Sequence, residues 1–163
     1  MIPDNTQPAS PKKPKTARRR AREFVVQGLY EWQVNPADLA VIEYHLRENE
    51  EFARADIPLL RELLYGAVKE HTTLQTRLEP HVSQRQLSEM STVEKAVLWM
   101  AAFELIFKPE TPCTVIINEA VEVNKVFGGI EGYKFVNGVL DRLSDEVRPG
   151  EGAHYRGMKG QFK

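Results

Sequence analysis

The stretch VEKAVLWMAAFELIF, Val93–Phe107, decides how this chain folds. Twelve of its fifteen residues are apolar, and the run Ala96–Phe103 is unbroken. At about 100° per residue, Glu94, Glu104 and Lys108 fall with Ala101 inside one arc of about 80°. A helix apolar on most sides is buried on most sides. This one is too short and too charged to span a bilayer, which takes about 20 apolar residues. It predicts the core helix of a soluble protein, wrapped by other helices. Ser91-Thr92-Val93-Glu94 reads as a capping box at its start, and Pro109 as its stop.

Working outward, Thr16 reads as the N-cap of a first helix running to about Val34, with Ala21, Val25, Gly28, Leu29 and Trp32 facing inward and Arg18, Arg19, Arg22 and Glu23 wet. Asn35-Pro36 predicts a restart, and a second helix over roughly 37–50 with Leu39, Ile42 and Leu46 inside. Asp56 caps a third helix over about 57–79, closed by Pro80. Gly66 within it costs about 1 kcal/mol relative to Ala, which points to close packing there. Residues 81–90 form a link with a possible helical turn at 84–89. Thr111 and Pro112 open a helix to about Phe127, with Ile116, Ala120, Val123 and Phe127 inside, and Gly128-Gly129 stops it. A last helix spans about 132–147. No strand-period run and no repeat is found. The prediction is an all-α fold, with residues 1–15 and 150–163 disordered and a helical body over 16–149, divided into bundles of about 16–82 and 83–149.

A chain of 163 residues makes one compact domain. A single cysteine, Cys113, excludes an internal disulfide and suits a reducing cytoplasm. No secretory signal or membrane span is read in it. The charge is asymmetric. Residues 1–22 hold seven Lys or Arg against Asp4, a local +6 that leaves −7 on the rest of a chain with net charge −1. A basic arm on an acidic body reads either as a polyanion-binding arm or as a solvated tail. Arg18, Arg19, Arg20 and Arg22 crowd a helix N-terminus, against the macrodipole, at a cost of a few tenths of a kcal/mol or more. That placement hints at function, and the planar guanidinium suits phosphate.

Catalytic and metal signatures are missing. The four histidines lack metal-ligand spacing, and Gly128-Gly129 with Gly132 follows a helix and lacks the Lys-Ser/Thr of a phosphate loop. Cys113 has no evident base, and Glu94 with Glu104 reads as part of a polar stripe rather than a carboxylate pair. Nothing supports an enzyme; binding remains.

Five segments, in order, resemble the NusB family of bacterial transcription antitermination factors: Arg18-Arg19-Arg20-Ala21-Arg22, Gln27-Gly28-Leu29-Tyr30, Val93-Glu94-Lys95-Ala96-Val97-Leu98, Ile117-Asn118-Glu119-Ala120-Val121-Glu122 and Lys134-Phe135-Val136-Asn137-Gly138-Val139-Leu140-Asp141. The resemblance runs from about Ala17 to Pro149 and leaves both tails unaccounted for. It implies two small packed helical bundles, no catalysis and no cofactor. It implies a protein partner, the small-subunit ribosomal protein NusE, and single-stranded boxA RNA of nascent ribosomal RNA transcripts. The complex would assemble on RNA polymerase. By position, Arg18, Arg19, Arg20, Arg22, Glu131, Lys134 and Phe135 would meet RNA, and Tyr30 and Glu94 would face NusE.

From the residues alone, Phe135 is equally a core residue at helical spacing or a base-stacking aromatic. Glu94 is a cap or a partner contact. Rival readings are a helical interaction scaffold with an inert arm and an RNA-binding module of the kind attached to ribosomal RNA methyltransferases. A helix-turn-helix DNA binder would need an exposed basic recognition helix, and only the first helix is notably basic.

Overall fold

The computed structural model describes residues 14–128 and 132–151, the side chain of Leu87 excepted. The predictions of disorder for 1–13 and 152–163, and the site residue Glu131, lie outside the described residues. The described chain is all-α, two small helical bundles packed together. Eight α-helices follow in order: α1 (Ala17–Val34), α2 (Leu39–Leu46), α3 (Ile57–Lys69), α4 (His71–Leu78), α5 (Gln84–Glu89), α6 (Thr92–Phe107), α7 (Cys113–Gly128) and α8 (Gly132–Val147). Short 3-10 turns cover Glu50–Arg54 and Glu79–His81. Among the described residues no helix is long and apolar enough to cross a membrane.

Local chemistry fixes most starts. Thr16 Oγ1 accepts from Arg19 N at 3.0 Å, and Asp56 Oδ1 accepts from Leu59 N at 3.1 Å. The capping box of α6 closes in both directions, Glu94 N to Ser91 Oγ at 3.1 Å and Ser91 N to Glu94 Oε2 at 3.4 Å. Two starts differ from the sequence prediction. Asn35 ends α1 instead of opening α2, its N–H donating to Glu31 O at 2.9 Å; Asp38 caps α2 by accepting from Ala40 N at 3.0 Å. The predicted helix over 57–79 is two helices. At the break, His71 Nδ1 donates to Val68 O at 2.7 Å, and a side chain takes the place of the backbone ladder.

Helix α6 is the axis. Ten consecutive residues, Ala96–Leu105, are buried, and α1, α3, α4, α7 and α8 all pack on it. Gly66 of α3 lets it lie close: a Cβ there would stand 2.3 Å from Phe103 Cζ. Trp99, 3% exposed, stands 6.1 Å from Trp32 and 5.8 Å from His71, ring centre to ring centre. The polar arc of α6 is partly exposed only at Glu94. Glu104 and Lys108 are both buried; Lys108 Nζ meets Glu62 at 2.7 Å and Glu110 at 3.3 Å.

The end of α6 is held from a distance. Buried Arg148 donates to the carbonyls of Leu105, Glu104 and Lys108 at 3.1, 3.2 and 2.8 Å, and also to Thr111 O. Leu105 O is among the carbonyls a helix end leaves unpaired, while Glu104 O and Lys108 O also accept from Lys108 N and Thr111 N at 3.0 Å each. Glu151, assigned from the sequence to the tail, accepts from Cys113 N at 2.7 Å and so serves the start of α7 where Thr111 was expected to. Burial pushes the Cys113 thiol above its ordinary range, which suits a structural cysteine.

Candidate nucleic-acid and partner interface

The arginine cluster divides by depth. Arg18 is exposed on the first turn of α1. Arg19 is partly exposed and pairs with Glu119 of α7. Arg20 reaches Glu51 at 2.9 Å and Lys15 O at 2.7 Å. Arg22, expected wet and among the RNA contacts, is 2% exposed. Its Nε and Nη2 grip the Glu104 carboxylate at 3.0 and 2.8 Å. Burial works against its charge, but the hydrogen bonds and charge of Glu104, helped by Glu119 and Asp56, leave its pKa raised. Arg22 is thus an anchor between α1 and α6. Glu23, also expected wet, is buried and held by Lys15 Nζ at 2.8 Å.

From Arg20 a groove runs along α1, walled by α2 and the Glu50–Arg54 turn on one side and the end of α7 on the other. It has two connected parts of about 220 Å³ and 440 Å³ that share Gln27, Asn49 and Phe127. The first part carries Lys15 and Arg20. The second ends at Tyr30, His45 and Val93, with His45 Nδ1 against Glu31 Oε1. Tyr30 is 45% exposed, Val126 55% and Phe127 36%. Phe127 was assigned to the inner stripe of α7; the structure turns it into the groove. Exposed aromatics beside basic and amide side chains are what single-stranded nucleic acid uses for stacking and phosphate contact.

Beyond Phe127 the chain returns at Gly132 to begin α8. Glu94 stands beside this start, its Oε1 3.0 Å from where a Cβ of Gly132 would lie. One carboxylate therefore serves the α6 cap with Oε2 and borders α8 with Oε1. Lys125 Nζ lies 4.9 Å above the Tyr133 ring, fastening the end of α7 to the start of α8. Lys134 on the first turn of α8 is exposed. Phe135 packs partly on the core and keeps part of its surface open, so both of its sequence readings have a physical basis. Tyr30 lies at the α6 end of the groove beside Val93, the neighbour of Glu94, while Lys15 and Arg20 lie at the other end. Among the described residues no group of His, Cys, Asp or Glu is arranged to hold a metal ion.

Gln27, Asn49, Val126 and Phe127 were missed as groove residues. Val126 and Phe127 carried no decisive signal, because adjacent helical residues can both be buried, as Ile116 and Ile117 are on the same helix. Gln27 and Asn49 carried none, because the groove exists only once α1 and α2 are packed.

A family model described as the NusB family matches residues 19–145. The transcription antitermination protein NusB of Chromobacterium violaceum is 57% identical over 138 residues, covering 84% of this chain and 92% of that one. Among solved structures, T. maritima NusB superimposes with a TM-score of 0.71 at 29% identity, over 86% of this chain and 99% of that chain. A structure described as antitermination factors NusB and NusE in complex with dsRNA has the same fold, with a TM-score of 0.72 at 22% identity over 80% of this chain and 97% of that one. The family match covers most of the chain, including nearly all of α1 and α8 and the helices between them; the chain belongs to the NusB family.

Proposed function

We propose that this protein is a non-catalytic, cytoplasmic transcription antitermination factor. It binds the boxA element of nascent ribosomal RNA transcripts together with NusE, and the pair helps assemble the antitermination complex on RNA polymerase. The observation that carries this reading is the groove along α1, basic at Lys15 and Arg20 and aromatic at Phe127 and Tyr30, in a chain whose relatives are antitermination proteins. Arg18, Arg19 and Arg20 supply phosphate contacts. The partly exposed pairs of Arg19 with Glu119 and Arg20 with Glu51 are worth at most about 1 kcal/mol each, so phosphate can displace the carboxylates. Lys134 and Phe135 on the first turn of α8 form the other RNA-facing group, and Glu131 is assigned to RNA by its position in the sequence alone. The Tyr30 end of the groove, with Glu94 at its border, receives NusE.

Replacing Arg18, Arg19 and Arg20 together with Ala tests the RNA side. Binding of a boxA RNA weakens. The slope of log affinity on log salt falls by about 0.7 for each phosphate of the single strand that is no longer neutralised. Circular dichroism remains that of the parent. Unchanged affinity and slope at matched salt would refute the assignment.

A further inference from the structure

Asn124 of α7 is 0% exposed, and neither its Nδ2 nor its Oδ1 has a hydrogen-bond partner. An amide carries two donors and an acceptor, and leaving them unpaired in the interior is unfavourable. The buried residues before it on α7, Ala120 and Val123, are apolar, so the packing of the helix does not call for an amide.

What Asn124 does meet is the turn from α7 into α8, at both of its ends. A Cβ on Gly128 would come within 2.9 Å of Asn124 Oδ1. A Cβ on Gly132 would come within 2.9 Å of Asn124 Nδ2 and 3.0 Å of Glu94 Oε1. Approaches this short do not occur between a real Cβ and a settled neighbour, so the amide fills the space that the absence of a Cβ at Gly128 and Gly132 leaves, and the two glycines lie close against it. The start of α8 closes down on the amide from one side and on Glu94 from the other. Glu94 is itself held, because Oε2 accepts from Ser91 N at 3.4 Å in the α6 cap. The first turn of α8 thus has two fixed supports, one on α7 and one on α6, and it carries Lys134 and Phe135.

We infer that Asn124 is a positioning residue for RNA binding: its buried amide sets the height of the first turn of α8 over α7, and thereby the placement of Lys134 and Phe135. The inference rests on the RNA-binding reading above. A protein selected for stability alone would place an apolar side chain of similar size here. The unpaired amide is the kind of local rule-breaking that accompanies a functional geometry, and stability is exchanged for placement. Asn124 does not touch RNA itself.

The test uses the full chain, a labelled boxA RNA and the variants Asn124→Leu and Asn124→Ala, each titrated at a temperature where it is fully folded. Asn124→Leu removes the unpaired amide and keeps the volume, so its melting temperature equals or exceeds the parent's, while RNA affinity falls about fivefold or more. Stability and affinity moving in opposite directions is a signature that a merely structural residue does not give. Affinity within about twofold of the parent overturns the inference. A fall in both quantities overturns it as well, since Asn124 would then be an ordinary core residue. If Asn124→Leu does not fold, Asn124→Ala decides by the same rule: the same loss of affinity without a fall in melting temperature supports the inference, and unchanged affinity or a fall in both overturns it. A parent chain that fails to distinguish boxA from scrambled RNA overturns the RNA-binding reading itself, and this inference with it; a parent that distinguishes them beside unaffected variants overturns only the inference.

Discussion

Arg18 and Arg22 are one helical turn apart on the same side of α1, yet one is exposed and the other is buried. Direction does not separate them; depth does. One turn is about 5.4 Å along the axis, and that carries Arg22 past the rim of the core to Glu104. Its partner lies 82 positions away, so no local pattern announces the pair. The polar arc on α6 held the only hint, and its natural reading was a wet stripe. Removing one member of a buried pair leaves the other charge without compensation, so Arg22→Ala is expected to cost about 3–5 kcal/mol of stability, while Arg22→Met with Glu104→Leu recovers most of that loss. Chemical denaturation of the single and double variants measures both. A single variant as stable as the parent would show that the pair carries no such weight. Arg18→Ala, by contrast, leaves stability within about 0.5 kcal/mol, as exposed substitutions do.

At the scale of elements, α2 is short, and a charged contact ties it to α3. Glu43 of α2 accepts from Arg61 of α3 at 2.8 and 3.2 Å and from Arg47 at 2.9 Å. The Arg61 hydrogen bonds, with the charges of Arg61 and Arg47, hold the Glu43 carboxyl below its ordinary value of 4.5, although burial opposes this. A folded pKa below the unfolded one means stability that is fully present above the unfolded value and is lost as pH falls through the folded value. The parent therefore loses stability on acidification from about pH 5 downward, and Glu43→Gln lacks that portion of the loss. Stability measured against pH for both proteins checks this; parallel curves would contradict it. The caps at Thr16, Asp56 and Ser91 were legible in the sequence because each bond spans three residues. The Glu70 break, the Asp38 cap and the support of α6 by Arg148 were not. The break follows from a His71 side chain choosing a backbone carbonyl, and Arg148 acts across 37 to 44 positions.

At the scale of the whole molecule, the all-α architecture followed from one stretch, because a helix buried over Ala96–Leu105 needs neighbours on every side. The candidate interface was legible only in part. Arg18, Arg19, Arg20, Tyr30 and Lys134 are on the surface, as a binding role needs. Phe127 was misassigned and Gln27 and Asn49 went unseen, since α1, α2, α6 and α7 build the groove jointly. The groove runs from Arg20 to Tyr30; on the proposed assignment of RNA to the first and NusE to the second, the two bind side by side, and the account predicts that they reinforce one another. Coupling between sites typically amounts to 1–3 kcal/mol, or about 5- to 150-fold in affinity. The decisive measurement is fluorescence anisotropy of a labelled boxA RNA titrated with this protein, with and without NusE, at two salt concentrations and beside a scrambled RNA. The account predicts tight binding that depends on sequence and strengthens with NusE. Weak, salt-labile binding to both RNAs, unaltered by NusE, would contradict it and leave the basic end of α1 as a general attractor of polyanions.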